Sequence, residues 1–122
     1  MGQDTEIQYL VVVKHPIHMS NIVKNYQKVL EVINTLETPI NQFVTAGRKV
    51  KMSDIEVVAL SLTAEYMSID SENSLFKQIE NSSIMNLIER SQYNKRRRKL
   101  FDFAELVRLG EFSLRIGPLI PN

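Results

Sequence analysis

Apolar and polar positions alternate with the period of an α-helix along most of the chain. Residues 20–36 give the clearest example, because apolar side chains recur there every three or four positions. The stripe consists of Ile22, Tyr26, Val29, Leu30, Ile33 and Leu36. Ser20 stands where a helix N-cap is expected, and Pro39 disfavours a helical conformation at Thr38. We therefore predict an amphipathic helix over residues 20–36.

A second helix is predicted to begin with a capping box at residues 53–56. The Ser53 hydroxyl can accept a hydrogen bond from the Glu56 amide, and the Glu56 carboxylate can accept one from the Ser53 amide. The apolar face that follows consists of Ile55, Val58, Ala59, Leu62 and Tyr66. The pattern predicts that this helix ends near Ser68.

Two short helices and a turn are predicted next. Asp70 and Ser71 suit an N-cap, and residues 81–83 (Asn-Ser-Ser) are typical of a turn. The apolar positions of the first short helix are Leu75, Phe76 and Ile79. Those of the second are Ile84, Leu87 and Ile88.

The last predicted helix covers residues 92–109, with Ser91 as its N-cap and Gly110 as its stop. Its buried stripe is predicted to consist of Leu100, Phe103, Ala104 and Val107, widened by Phe101 and Leu106. Extended backwards, the stripe reaches Arg96 or Arg97 and then Tyr93. Residues 110–122 form an irregular tail in this interpretation, and disorder is one reading of that tail.

Residues 7–13 are rich in β-branched side chains and form a weak strand candidate that Pro16 ends. The predicted fold class is mostly α. It is a small bundle of four to five helices, similar in layout to helix-turn-helix modules, with a short N-terminal strand and an irregular C-terminal tail. We divide the chain into an N-terminal extension (1–19) that need not be native, a helical domain (20–109) and the tail (110–122).

Charge is distributed unevenly along the chain, although the net charge is only +1. Residues 83–122 hold eight basic residues, five of them consecutive at 95–99 (Lys-Arg-Arg-Arg-Lys). The first half of the last helix is therefore cationic nearly all round. Core packing cannot hold a helix that is polar on every side, so we predict that this half projects from the domain.

A projecting basic helix is suited to double-stranded DNA, because arginine can pair bidentately with phosphate or with guanine. Asparagine is the residue type that reads adenine, and tyrosine can stack or donate to phosphate. The predicted DNA-binding residues are Tyr93, Asn94, Lys95, Arg96, Arg97, Arg98 and Lys99. A solvated helix face, an RNA-binding arm and a nuclear-localisation-like patch are alternatives with the same pattern.

Other chemistry finds little support in the residues. The chain has no cysteine, none of its four glycines forms a phosphate-binding loop, and no serine sits in a nucleophile elbow. His15 and His18 flank Pro16 without a nearby carboxylate, which favours a surface segment over a metal site. We expect no catalytic residue, cofactor, metal or small-molecule substrate. The longest apolar run, residues 9–13, is too short to span a membrane. Together with the predicted DNA binding, this leads us to expect a cytoplasmic, nucleoid-associated protein.

Two blocks of the sequence resemble a known family. Residues 53–72 (SDIEVVALSLTAEYMSIDSE) and 88–101 (IERSQYNKRRRKLF) look like the N-terminal region of small bacterial insertion-sequence transposases of the DDE type. The resemblance extends roughly from Met19 to Phe103. It implies binding to the terminal inverted repeats of the element during DNA transposition, a form of DNA recombination.

The same resemblance implies that an RNase H-like domain supplies three metal-binding carboxylates for strand transfer, and no residue here matches them. The expected chain is thus a truncated transposase fragment that binds DNA and is not an enzyme. One alternative is a protein-interaction or dimerisation module, which pairs with itself or with full-length transposase through the apolar faces of helices 20–36 and 53–66. Another is a non-functional remnant.

Overall fold

The computed structural model describes residues 20–36 and 51–121, and these are helical or irregular without a β-strand among them. Within these described residues, six helices follow one another: α1 (Asn21–Asn34), α2 (Asp54–Tyr66), α3 (Glu72–Gln78), α4 (Arg90–Lys99), α5 (Phe101–Leu109) and α6 (Phe112–Arg115). The predicted small helical bundle is confirmed. The candidate strand at residues 7–13 and the extension 1–19 lie outside the described residues.

Helix α1 packs one side against α2 and leaves the other side to solvent. Its buried residues are Ile22, Val23, Asn25, Tyr26, Val29 and Ile33. The helix predicted for residues 20–36 is confirmed. Ser20 occupies the N-cap position with an extended backbone, but its hydroxyl makes no capping hydrogen bond.

Helix α2 is the centre of the bundle and contacts α1, α4 and α5. The predicted capping box is present: the Ser53 amide donates to Glu56 Oε1 at 2.7 Å, and the Glu56 amide donates to Ser53 Oγ at 3.2 Å. The helix ends at Tyr66, close to the predicted end, and Ser68 adopts the left-handed conformation that follows it (φ 58°). Burial extends over more than one face, because neighbours lie on several sides. The buried residues are Val57, Val58, Ala59, Leu60, Leu62, Thr63 and Ala64.

Helix α3 begins as predicted, with Ser71 Oγ accepting a hydrogen bond from the Ser74 amide at 3.1 Å. The second short helix, predicted around residues 84–88, is wrong. That segment forms successive turns with backbone hydrogen bonds that reach back three residues, such as Met85 N to Ser82 O at 3.2 Å and Leu87 N to Ile84 O at 3.0 Å. The Ser82 hydroxyl also accepts from the Ile84 amide at 3.2 Å, which competes with helical pairing. Ile84 and Ile88 are nevertheless buried.

The helix predicted over residues 92–109 is divided into α4 and α5 at Leu100, whose backbone (φ −98°, ψ 12°) departs from helical geometry. Helix α4 begins at Arg90, so Glu89 and not Ser91 occupies the N-cap position. The four main members of the predicted stripe are buried: Leu100, Phe103, Ala104 and Val107. The prediction that Phe101 and Leu106 widen it is wrong, because they face solvent at 57% and 39% exposure. Gly110 ends α5 as predicted.

The C-terminal segment is held against α1. Residues 117–121 are irregular as predicted, whereas α6 is a short helix that buries Phe112. The Asn25 carboxamide pairs with both backbone groups of Ile120, donating to its carbonyl and accepting from its amide, each at 2.9 Å. Lys28 Nζ donates to the Pro118 carbonyl at 2.9 Å. These contacts order the segment, so the reading of it as disordered is wrong for residues 111–121.

Candidate nucleic-acid interface

The basic run of α4 divides into two groups that face in different directions. An α-helix turns about 100° per residue, so Lys95, Arg98 and Lys99 share one side. All three side chains are exposed, and none forms an ion pair with a described residue. We call these three residues the outer cations.

Arg96 and Arg97, the inner arginines, face the body of the protein. Arg96 Nη2 meets Asp54 Oδ1 at 2.7 Å, and the two side chains are only 18% and 12% exposed. Asp54 is the first residue of α2, so this ion pair joins α4 to the start of the central helix. A charge pair with this little solvent contact is much harder to exchange than a surface pair.

Arg97 has three partners. Its Nη2 lies 3.3 Å from Glu72 Oε2 and donates to Asn94 Oδ1 at 3.0 Å. Its guanidinium lies 5.9 Å from the centre of the Tyr93 ring. At 40% exposure, the Arg97 side chain remains accessible to solvent, in contrast to Arg96.

Tyr93 belongs to the core. It is 2% exposed and packs edge-on against Phe76, with the ring centres 5.5 Å apart. Burial raises the pKa of Tyr93, while a hydrogen bond with Ser61 and the charge of Arg97 oppose that rise. The ring is therefore closed off from any external base or phosphate in this arrangement.

These contacts correct the prediction that the N-terminal half of the last helix projects. Helix α4 packs against α2 and α3, because Tyr93 supplies an apolar anchor and Asp54 and Glu72 neutralise the inner arginines. The pattern of charges in the sequence suggested a helix without a buried side. The carboxylates that pair with this buried side lie 42 and 25 residues earlier in the chain, as the Arg96–Asp54 and Arg97–Glu72 hydrogen bonds show.

The structure thus places the seven predicted site residues in four settings. The outer cations face solvent together, the inner arginines are paired with carboxylates, and Tyr93 is buried. Asn94 is half-buried, and its carboxamide oxygen is already bonded to Arg97.

Three residues next to the predicted set were missed. Ser91 and Gln92 are exposed and lie on the same side of α4 as the outer cations, one turn earlier. Arg90 Nη1 donates to Asn73 Oδ1 at 3.4 Å, and its Nε lies 3.8 Å from Glu72 Oε1. Ser91 and Gln92 lie four and three residues before Lys95, and this spacing indicates a shared helix face. The spacing was not applied to Ser91, because that residue was predicted to be the N-cap.

The described part of the chain contains no group of three or more His, Cys, Asp or Glu side chains arranged to hold a metal ion. His15 and His18 lie outside the described residues. Within residues 20–36 and 51–121, no helix has both the length and the apolar character needed to cross a membrane.

Comparisons of the chain with protein-family models, with curated proteins and with solved structures found no match. The chemistry of α4 and its surroundings is therefore the main guide to function.

Proposed function

We propose that this chain binds double-stranded DNA through the outer cations of α4, as the DNA-binding part of an insertion-sequence transposase. One observation carries the DNA-binding part of the proposal: Lys95, Arg98 and Lys99 are exposed together on one helix face and are not neutralised by a described carboxylate. The resemblance of residues 53–72 and 88–101 supports the transposase part.

The geometry of α4 limits how many phosphates it can neutralise. Five independent basic side chains would give a log–log salt dependence with a slope of roughly −4 to −5. However, the Arg96 guanidinium is paired with Asp54, and the Arg97 guanidinium is paired with Glu72. Three outer cations acting alone predict a slope of about −2.7, since each neutralised phosphate contributes about −0.9.

Sequence preference would come from the same face. Gln92 is exposed one turn before the outer cations, and glutamine can pair bidentately with adenine in the major groove. Arg98 can pair in the same way with guanine. Asn94 is less suited to this role than the sequence suggested, because its oxygen accepts from Arg97.

The test is fluorescence anisotropy with a labelled duplex carrying the inverted repeats that flank the gene, and a scrambled duplex of equal length. Binding is measured over a series of salt concentrations for the wild type and for a Lys95→Ala/Arg98→Ala/Lys99→Ala variant. We expect the variant to lose affinity for both duplexes and most of the salt slope.

A matched control removes three exposed lysines from other elements: Lys24→Ala/Lys51→Ala/Lys77→Ala. It changes the net charge equally but leaves α4 intact, so its binding should stay near that of the wild type. Equal losses in the two triple variants would show that only net charge matters and would defeat the proposal. An equal affinity for the repeat and the scrambled duplex would defeat the assignment to transposon ends.

Under this proposal the chain has a binding role in transposition and associates with the bacterial nucleoid. Strand transfer would require the RNase H-like domain that the resemblance implies. We assign no catalytic residue to the described part of the chain.

Self-association is a second candidate, but not through the faces suggested by the sequence. The apolar residues of α1 and α2 are buried against each other in a single copy of the chain. Exposed apolar side chains occur instead near the C-terminus, where Leu109 and Leu114 are 80% and 85% exposed. Sedimentation of the wild type and of a Leu109→Lys/Leu114→Lys variant tests this candidate, since a dimer formed there should dissociate in the variant.

A further inference from the structure

A second cluster of polar and cationic side chains lies on another side of α4. Arg90, Asn94 and Arg97 are spaced i, i+4 and i+7, which places them along one side of the helix. That side faces the first turn of α3. We call these three residues the arginine bracket.

The Glu72 carboxylate lies between the two arginines of the bracket, where a bound anion would lie. Its two carboxylate oxygens meet different arginines: Oε1 lies 3.8 Å from Arg90 Nε, and Oε2 lies 3.3 Å from Arg97 Nη2. Asn94 joins the cluster by accepting from Arg97 at 3.0 Å. Two guanidinium groups therefore share one carboxylate, and the cluster keeps an excess of one positive charge.

The bracket is open, unlike the neighbouring ion pair of Arg96. Arg90 and Arg97 are 52% and 40% exposed, and Glu72 is 26% exposed. Both contacts of Glu72 are longer than the 2.7 Å that separates Arg96 from Asp54. Long, solvent-accessible ion pairs contribute little stability, so a competing anion can replace the carboxylate at small cost.

We infer that the arginine bracket is a second phosphate-binding site, which Glu72 occupies as an internal competitor. Arginine forks match phosphate oxygens in the way that they match a carboxylate. The inference rests on the proposed function for the source of the phosphate, which is the DNA backbone. Glu72 then restrains binding: DNA gains the phosphate contact of the bracket only when it displaces the carboxylate.

The decisive variant is Glu72→Gln, which keeps the size of the side chain and removes its charge. In 0.1 M salt, one further phosphate contact corresponds to about an eightfold gain in DNA affinity and to a slope more negative by about 0.9. Glu80→Gln is the matched control, because this substitution changes the net charge equally. Glu80 is exposed and forms no ion pair with a described residue.

A separate measurement examines the bracket without DNA. Inorganic phosphate is titrated into the wild type, Glu72→Gln and Glu80→Gln, and the side-chain N–H signals of Arg90 and Arg97 are followed by NMR. We expect Glu72→Gln to bind phosphate at least about fivefold more tightly than Glu80→Gln. Adding Arg90→Gln to Glu72→Gln should cancel that gain, because it removes one of the two guanidinium groups of the bracket.

Equal phosphate affinity in the two single variants would overturn the inference. Thermal unfolding of each variant shows that the comparison is made on folded protein. Glu72→Asp supplies a second variant. The shorter aspartate keeps the charge at the start of α3 but reaches the arginines less well, so we expect an intermediate gain in phosphate affinity. If Glu72→Gln binds phosphate while no variant binds duplex, the proposed function is wrong and the anion site stands.

Discussion

The outer cations and the inner arginines are neighbours in sequence but have different environments. Lys95, Arg98 and Lys99 face solvent without a described carboxylate, whereas Arg96 is held at 2.7 Å by Asp54. The rotation of the helix separates the two groups, and the carboxylates at the starts of α2 and α3 select which arginines face inward. A run of consecutive charges is therefore not one functional unit, and its members should respond differently to the same substitution.

The largest expected difference concerns Arg96. Replacing Arg96 with Ala leaves the Asp54 carboxylate 12% exposed without this partner, so we expect a loss of about 2–3 kcal/mol in the free energy of unfolding. Lys95→Ala should stay within about 0.5 kcal/mol of the wild type, because Lys95 is exposed. Urea denaturation measures both. Similar losses in the two variants would remove the distinction between inner and outer positions.

Unfolding at alkaline pH tests whether the inner side of α4 excludes water, because the buried Tyr93 hydroxyl of that side titrates there. Burial raises the pKa of Tyr93 above its ordinary value of about 10. The unfolded chain then releases this proton at a lower pH than the folded protein, so the stabilisation is complete below about pH 10 and is lost as pH rises beyond it. We expect the free energy of unfolding to fall as the pH rises above about 10. The fall should be smaller in Tyr93→Phe, and an identical fall in that variant would contradict the burial of Tyr93.

A pair of hydroxyl deletions separates burial from pairing. The Tyr93 hydroxyl has a hydrogen bond with Ser61, whereas the buried Tyr26 hydroxyl has no partner among the described residues. Tyr93→Phe should cost about 1 kcal/mol at neutral pH, and Tyr26→Phe should be neutral or stabilising by up to about 1 kcal/mol. Thermal unfolding of the two variants in parallel checks this order, and the reverse order would be incompatible with the contacts described.

The smallest expected effect is on stability in the outer-cation variant. Like charges at i, i+3 and i+4 on a helix each cost a few tenths of a kcal/mol. Replacing Lys95, Arg98 and Lys99 with Ala should thus raise the free energy of unfolding by up to about 0.5 kcal/mol at low salt, with little effect at high salt. Destabilisation of this variant would show that the outer cations have a structural role, and any loss of DNA binding would then need another explanation.

The sequence predicted the elements whose signals are local. The capping box of Ser53 and Glu56, the N-cap at Ser71 and the stop at Gly110 each depend on contacts within a few residues, and all three are present. The break at Leu100 was not predicted, since neither proline nor glycine marks it. Residues 84–88 have helical apolar spacing but form turns, because side-chain and three-residue backbone hydrogen bonds compete there.

The candidate site divides in the same way. The sequence by itself determined that residues 95–99 are basic and helical, because both properties follow from composition and local spacing. Only the tertiary structure decided which of these side chains face outward, since their partners Asp54 and Glu72 lie 42 and 25 residues away from the arginines that they hold. It also moved Tyr93 from the candidate site into the core. Long-range packing and charge pairing assign a direction to each side chain, and a helical pattern alone cannot supply that information.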